Sequence, residues 1–366
     1  MPGSVFARTG GHVSQESGSP RWRLEWPTSS GKRPGKAQLK SVPEDFRVTE
    51  KLWPDSEVPG SVHGGAGEHL CVRLEKSGDN TEFVARELAA MAGCKAFEVG
   101  FCGLKDRHAV TVQWFSLYCP GRESEDAALL QAIGARWPVL ASGRHARKLR
   151  RGEHLGNEFD LVLRQVNGNR VDIEQALTLL GERGAPNYFG PQRFGIGGGN
   201  LERAVNLDPS RLNRKKGGRR GGGGSGSKNV LYFSAARSWL FNEVLAARVE
   251  AGTWFNGMPG EPSEDDRPTG PLWGDGGTLA TGELAELERA VVAEHPEFER
   301  LFLSTRMKPE RRGLVTRPEH LSWQWLDDNA LRIQFFLPPG QYATTVLGDI
   351  FELQDMSLSR DNKQES

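Results

Sequence analysis

The sequence has few cysteines, no long hydrophobic run and no secretion signal. Its four cysteines, Cys71, Cys94, Cys102 and Cys119, lie far apart without a CxxC pair, which excludes the usual spacing of a zinc site and the disulfide framework of a small secreted domain. There is no run of about 18 apolar residues, the length that crosses a membrane, and the N-terminus lacks an apolar signal segment. We therefore expect a cytoplasmic protein with reduced thiols and no membrane partner.

The chain also lacks a net charge, since 47 Lys and Arg residues balance 47 Asp and Glu residues. A neutral chain has no overall field that attracts a nucleic acid, so an anionic partner must be recognised by local patches. Two stretches, 144–151 and 211–220, are strongly basic. Because phosphate contacts dominate affinity for nucleic acids, they favour a polyanionic partner, although a charge run is often only a solvated face.

Motifs of common hydrolases and nucleotide-binding proteins are missing as well. The sequence has no HExxH, GxSxG or EF-hand loop, and the glycine-rich tract GGRRGGGGSGSKN lacks the lysine placement of a phosphate loop. We expect that tract to be a flexible loop, whereas FGIGGGN at 194–200 fits either a tight turn or a phosphate contact. Four scattered histidines are expected to be structural or surface residues: His69, His108, His145 and His154. The sequence therefore does not predict a metal-dependent hydrolase.

The distribution of residue types predicts two domains. Residues 1–30 are rich in Gly, Ser, Pro and Arg without periodicity, which indicates a flexible tail. Strand and helix patterns occur over 31–183 and again over 318–360, whereas mainly helical patterns fill 184–317. A chain of 366 residues commonly holds more than one domain. We predict an α+β domain, 31–183 and 318–360, interrupted by a mostly helical insertion, 184–317.

Several segments carry clear local signals. Leu70, Val72 and Leu74 alternate with polar residues, as in a half-buried strand. The following NTEFVARELAAMAG reads as a helix capped by Asn80 or Thr81 and ended by Gly93. Further strands are predicted at VTVQWFSLY, FDLVLRQV and ALRIQFFLPPG, and further helices at DIEQALTLLGERG, SAARSWLFNEVLAARV and GELAELERAVVAE.

The stretch FCGLKDRHAVTVQWFSL, residues 101–117, places four ionisable side chains between hydrophobic segments. Residues 103–108 fit an ordinary hairpin turn. They also fit a site, because Lys105 and Arg107 flank Asp106 and nearby cations keep a carboxylate ionised. An ionised carboxylate held between apolar strands suits nucleophilic or base chemistry.

GLKDRHAVTVQW resembles the signature of the TruD family of tRNA pseudouridine synthases. Six further segments resemble the family in the same order, so that the resemblance covers nearly the whole chain from about Lys40 to Phe351. The segments are VPEDFRVTE, EHLCVRLEKSGDNTEFVARELA, GNEFDLVLR, APNYFGPQRFGIGGGNL, SAARSWLFNEVLAARV and LPPGQYATTVL. The resemblance implies a pseudouridine synthase fold, a mixed sheet with flanking helices, and a family-specific insertion that begins near Gly184.

The resemblance also implies functional residues. Asp106 falls on the catalytic aspartate, Lys40 on a basic residue near it, and Asn157 and Phe159 on active-site positions. Phe159 stands where other pseudouridine synthases use a tyrosine that stacks on the target base. Together with the basic stretches, this gives the expected substrate-binding residues Lys40, Asn157, Phe159, Lys105, Arg147, Lys148, Arg150 and Arg193.

The activity implied is isomerisation of a uridine, in bacterial members uridine 13 of certain tRNAs, by a monomer without a cofactor. The aspartate can attack C1′ or C6, or remove the 2′ proton, and Lys40 can hold Asp106 ionised or contact the RNA. Two alternatives are an RNA chaperone without turnover and a uracil-removing glycosidase. An intact Asp106 in GLKD disfavours the first, and a glycosidase would need a positioned water and a second carboxylate.

Overall fold

The computed structural model describes residues 21–53, 67–207, 225–262, 267–303 and 307–358. The first 20 residues, the basic stretch 211–220 and most of the glycine-rich tract lie outside these ranges. Within the described ranges, no helix combines the length and the apolar character that a membrane span requires.

Strands and helices are numbered in chain order. The strands are β1 (Gly35–Leu39), β2 (Phe46–Lys51), β3 (His69–Lys76), β4 (Val110–Tyr118), β5 (Val139–His145), β6 (Gly156–Gly168), β7 (Ala185–Pro186), β8 (Thr269–Leu272), β9 (Glu310–Gly313), β10 (Val315–Thr316), β11 (Glu319–Trp325), β12 (Leu331–Leu337) and β13 (Phe351–Asp355). The helices are α1 (Thr81–Ala92), α2 (Asp126–Gly134), α3 (Arg170–Arg183), α4 (Gly199–Val205), α5 (Ser225–Glu250), α6 (Gly282–Ala293), α7 (Pro296–Leu303) and α8 (Ala343–Gly348).

The main sheet is mixed and contains nine strands. Its order is β11-β12-β6-β2-β4-β3-β5, and β1 joins β6 to β13. The β2–β4 and β1–β13 pairs are parallel, whereas the other pairs are antiparallel. This sheet with its flanking helices confirms the predicted α+β class.

Local signals account for the elements that the sequence predicts. In α1, the Asn80 side chain accepts a hydrogen bond from the Phe83 backbone N–H, and Gly93 ends the helix in the left-handed conformation at φ 65°. In β12, buried Leu331, Ile333 and other odd-numbered residues alternate with less buried neighbours. Both elements lie where their residue patterns predict them.

Helices cover two parts of one face of the sheet. Residues directly opposite in paired strands point to the same face, so that Phe159, Val48, Thr111 and Lys76 share a face through their successive pairings. Hydrophobic side chains of α1 and α2 pack on β3 and β4, and those of α3 and α8 pack on β6 and β12. A polar region of this face therefore lies between the two hydrophobic cores.

A third hydrophobic core lies in the predicted insertion and includes part of the N-terminal segment. Trp22 is 4% exposed, and Trp26 stacks on Tyr188 with ring centroids 5.6 Å apart. The prediction that residues 1–30 form a loose tail is therefore wrong for 21–30. Burial of two large aromatic side chains offsets the entropy lost when this segment is ordered.

The predicted insertion also contains strands, although the sequence indicated mainly helices. Strands β8 and β9 form a two-stranded antiparallel sheet, and β7 pairs with β10 near the two ends of the insertion. The β8–β9 pair carries Arg311, which binds the buried Glu288 and Glu261. These short strands lack the apolar alternation that reveals longer ones.

Candidate active site

Asp106 lies in the loop that leads into β4, and both of its carboxylate oxygens are bound. Oδ2 accepts a hydrogen bond from Lys40 Nζ at 2.6 Å, and Oδ1 accepts one from the His108 backbone N–H at 2.9 Å. The side chain remains 36% exposed. The carboxylate is thus fixed in orientation and still accessible to a substrate.

Lys40 is placed by the end of β1. Its φ of 56° lies in the left-handed region, which a non-glycine residue adopts only when its surroundings hold it there. The side chain is 9% exposed, and Nζ also contacts Asp355 Oδ2 at 3.2 Å. Lys40 therefore holds Asp106 directly, which was one of its two predicted roles.

The Lys40–Asp106 pair determines the ionisation of both groups. Burial alone would raise the pKa of Asp106, but the charge and hydrogen bond of Lys40 outweigh it and hold that pKa below its ordinary value. Burial would likewise lower the pKa of Lys40, but Asp106 and Asp355 raise it above its ordinary value. At neutral pH the site holds a carboxylate anion beside an ammonium cation.

Lys105 is one of the predicted substrate-binding residues, and its side chain binds a buried carboxylate. Its Nζ lies 2.6 Å from Glu50 Oε2, and the two side chains are 6% and 0% exposed. Sequence reasoning missed Glu50. The signal was present in FRVTEK, where Glu50 continues the inward alternation of Phe46 and Val48 in β2.

Further hydrogen bonds fix the loop that carries Asp106. The Lys105 backbone N–H donates to Thr81 Oγ1 at 2.9 Å, and that hydroxyl donates to Gln113 Oε1 at 3.0 Å. Gln113 Nε2 in turn donates to the Gly103 carbonyl at 2.7 Å. Side chains of α1 and β4 thus fix the part of the loop that directly precedes Asp106.

Lys76 is a third buried lysine of this polar region. It is 2% exposed, and its Nζ donates to the Asp79 carbonyl at 2.8 Å. In the described part of the chain no carboxylate lies within ion-pair distance of it. Burial, reinforced by the charge of Lys105, lowers the pKa of Lys76 to about 8.

Asn157 lies at the beginning of β6, beside the same polar region. It pairs with Glu50 of β2 in the sheet register, and its Nδ2 lies 3.5 Å from His154 Nε2. Burial lowers the pKa of His154, so this ring is neutral at neutral pH. Among the described residues, no group of three or more His, Cys, Asp or Glu side chains is arranged to hold a metal ion.

Phe159 lies two residues further along β6 and is only 8% exposed. Its ring stacks on Phe335 with centroids 5.3 Å apart, and the edge of Phe46 approaches it at 6.3 Å. Lys40 Nζ lies 4.9 Å above the Phe46 ring. These contacts connect Phe159 to the Lys40–Asp106 pair through Phe46.

The segment between β5 and β6 carries three of the predicted substrate-binding residues. Arg147 and Arg150 are exposed, and Arg147 Nη1 lies 2.5 Å from Glu153 Oε1. Lys148 is half-buried and donates to the Phe97 carbonyl. Local carboxylates thus neutralise part of this basic segment.

Arg144 differs from the rest of the basic stretch 144–151. Its side chain is 6% exposed, and Nη2 contacts Asp126 Oδ1 at 2.5 Å. Arg144 belongs to β5 and connects the sheet to α2, so it is a structural ion pair. The stretch therefore offers fewer free cations than its composition indicates.

Arg193 belongs to the predicted insertion and directly precedes the 194–200 segment. Its guanidinium donates to the hydroxyls of Ser234 and Ser238 in α5. The segment itself is a tight turn, because Gly195, Gly197 and Gly198 have φ values of 75°, 57° and 82°.

Comparison with known proteins identifies the family to which the chain belongs. Residues 29–201 and 262–350 match the family model described as tRNA pseudouridine synthase D (TruD). The tRNA pseudouridine synthase D of Marinobacter nauticus is 65% identical over 349 residues, covering 94% of this chain and 99% of that protein. The tRNA pseudouridine synthase D of Hydrogenovibrio crunogenus is 38% identical, covering 88% of this chain and 95% of that protein.

A crystal structure from Methanosarcina mazei, assigned as a tRNA pseudouridine synthase D, has the same fold. Its TM-score is 0.62 at 20% identity, and the match covers 87% of this chain and 94% of that chain. The family match extends over eight of the nine strands of the main sheet, all except β13, and over the loop that carries Asp106. The chain therefore belongs to the TruD family of tRNA pseudouridine synthases.

Proposed function

We propose that this protein isomerises uridine 13 of tRNA to pseudouridine, with Asp106 as the catalytic residue and no cofactor. The observation that carries the proposal is the 2.6 Å contact between Lys40 Nζ and Asp106 Oδ2. It keeps an accessible carboxylate ionised in a largely buried setting, which nucleophilic or base chemistry requires. Uridine 13 rests on the resemblance to bacterial members of the family.

The reaction needs one reactive anion and a pocket for the base. The N1–C1′ bond breaks, the uracil turns, and C5 bonds to C1′, after which C5 loses its proton and N1 gains one. The target uridine has to leave its helix to reach Asp106, and contacts in the pocket offset the lost stacking. In this proposal, Phe159 stacks on the base and Asn157 forms hydrogen bonds with the polar edge of the base.

The rest of the chain supplies affinity for tRNA in this proposal. The catalytic domain comprises 31–183 and 318–360, and the insertion 184–317 has its own hydrophobic core. Exposed Arg147 and Arg150 support a phosphate-binding surface on the catalytic domain. Lys148 contributes from the same segment.

Product analysis tests the proposed function. Unmodified tRNA labelled with tritium at C5 of uridine is incubated with the protein, and released tritium is counted before the modified position is mapped. We expect tritium release and one pseudouridine at position 13. An abasic site would indicate a glycosidase, and bound but unchanged tRNA would indicate a chaperone.

Replacing Phe159 tests its proposed stacking on the base. Stacking of a base on an aromatic ring contributes about 1–3 kcal/mol, so Phe159→Leu should slow single-turnover pseudouridine formation roughly 5- to 150-fold. Phe159→Tyr should retain part of the activity, because the ring remains. Rates are measured at a temperature where the variants are folded.

Phe335→Leu is the matched control, since Phe335 stacks on Phe159 from within the same core. Both leucine variants lose aromatic packing of the same kind. The rate should fall further in Phe159→Leu than in Phe335→Leu. Equal rates in the two variants would show that Phe159 acts only through core packing.

A further inference from the structure

Two arginines of the insertion converge on one aromatic ring. The guanidinium carbon of Arg312 in β9 lies 4.2 Å from the centroid of the Phe189 ring, and that of Arg193 lies 5.7 Å from the same centroid. Arg312 Nη2 donates to Asn187 Oδ1 at 2.6 Å and to the Gly340 carbonyl at 2.9 Å. Both arginines are half-buried.

Neither guanidinium has an acidic partner within the part of the chain that the structure describes. Arg193 donates to two serine hydroxyls, and Arg312 to an amide oxygen and a carbonyl. Other buried arginines of the insertion are neutralised, as Arg311 is by Glu288 and Glu261. A buried cation is ordinarily paired, so two unneutralised cations against one aromatic ring indicate an anion that comes from outside the chain.

The electrostatics of the pair point the same way. Burial lowers the pKa of Arg312 to about 10, and the charge of Arg193 contributes to that lowering. Arg312 is still a cation at neutral pH, so the positive charges of the two guanidinium groups repel each other. An anion between them would relieve this repulsion.

The sheet register places this pair near the candidate active site. Leu337 at the end of β12 lies opposite Asn157 of β6. Gly340, whose carbonyl holds Arg312, follows only three residues later. Three residues span at most about 10 Å, which is the reach of one or two nucleotides.

We propose that Arg193 and Arg312 together bind one phosphate of the tRNA backbone next to the target uridine. A phosphodiester suits the pair because two guanidinium groups can donate several hydrogen bonds to its oxygens. The site rests on the proposed function for its ligand. It gives the insertion a defined task, which is to hold the strand from which the uridine is turned out.

Salt dependence of tRNA binding tests the site. Arg193→Gln and Arg312→Gln should each weaken binding roughly 10-fold or more, because each removes hydrogen bonds between a charged donor and a phosphate. The double variant should lower the slope of log K against log salt by about 0.7–0.9, the value for one phosphate. If the slope changes by about twice that value, or does not change, the two arginines do not share one phosphate.

Arg170→Gln is the matched control, because Arg170 is exposed and already paired with Glu174. It should leave affinity and slope unchanged. Thermal melting monitors folding. If Arg312→Gln does not fold, Arg193→Gln decides alone, since the Arg193 guanidinium donates its hydrogen bonds to two serine hydroxyls. Wild-type affinity in folded Arg193→Gln would then overturn the proposal.

Failure of this site is distinguishable from failure of the proposed function. The function is tested by tritium release and product mapping with the wild-type protein, and the site by equilibrium binding of the variants. Wild-type turnover with unchanged variant affinity would overturn the phosphate site alone. Binding that depends on both arginines without any turnover would overturn the activity and leave the site in place.

Discussion

Asp106→Asn is expected to lower single-turnover pseudouridine formation by several orders of magnitude while tRNA binding persists. Asparagine keeps the size of the side chain and can still accept the His108 N–H, but it is neither an anion nor a base. Loss of a reacting group costs far more than loss of a supporting contact. The measurement combines tritium release in single turnover with a binding titration.

Asp355→Asn is the matched control for the charge balance around Lys40. It removes the weaker carboxylate contact at 3.2 Å and leaves the 2.6 Å contact with Asp106. We expect this variant to keep a large part of the activity. Equal losses in both variants would mean that the charge of Lys40 matters rather than the chemistry of Asp106, and full activity in Asp106→Asn would make the loop an ordinary charged turn.

The Asp106→Asn substitution should also change how the stability of the fold depends on pH. The pKa of Asp106 lies lower in the folded protein than in the unfolded chain, so its ion pair stabilises the fold at pH values above the unfolded pKa. That stabilisation is lost as the pH falls through the folded pKa. The wild-type protein and Asp106→Asn should therefore differ in stability at neutral pH and converge in acid.

Glu50→Gln is expected to destabilise the fold by about 3–5 kcal/mol, because it leaves the ammonium of Lys105 buried without its carboxylate. The two side chains are 0% and 6% exposed, so water cannot replace the lost partner. Urea unfolding followed by circular dichroism measures the free energy of unfolding. We also expect slower turnover in the folded fraction, since Lys105 precedes Asp106.

The double variant Glu50→Gln, Lys105→Met separates an unpaired charge from a lost contact. It should recover part of the stability lost in Glu50→Gln, because no charge then remains buried without a partner. Glu174→Gln, which breaks an exposed pair with Arg170, should change the free energy of unfolding only slightly. If Glu50→Gln is as harmless as Glu174→Gln, the buried pair does not hold the loop.

Much of the main sheet could be predicted from the sequence because its signals are local. A cap at Asn80 and a left-handed glycine at Gly93 act within a few residues of the ends of α1. Alternation in β12 reports burial of one strand face directly. Strands β1, β2, β5, β11 and β13 of the main sheet were not predicted, because short strands with mixed polarity carry little periodicity.

Contacts between distant parts of the chain are where the predictions fail. Trp22 looked like part of a tail because its core partners, such as Phe298, come nearly 300 residues later. Lys105 and Arg144 looked like free cations because their carboxylates lie elsewhere in the sequence. The sequence does not show which acidic residue a basic residue pairs with, because the fold determines the partner.

The sequence by itself determined the class of fold and the family. It also predicted Asp106 as the catalytic residue, because GLKDRH carries it in one continuous motif. The tertiary structure decided which lysine contacts the Asp106 carboxylate and which lysine contacts a different, buried carboxylate. It brought Lys40 to Asp106 and Glu50 to Lys105 across 66 and 55 residues. Strand pairing produces such contacts, because the register of the whole sheet, and not any local pattern, sets which side chains meet.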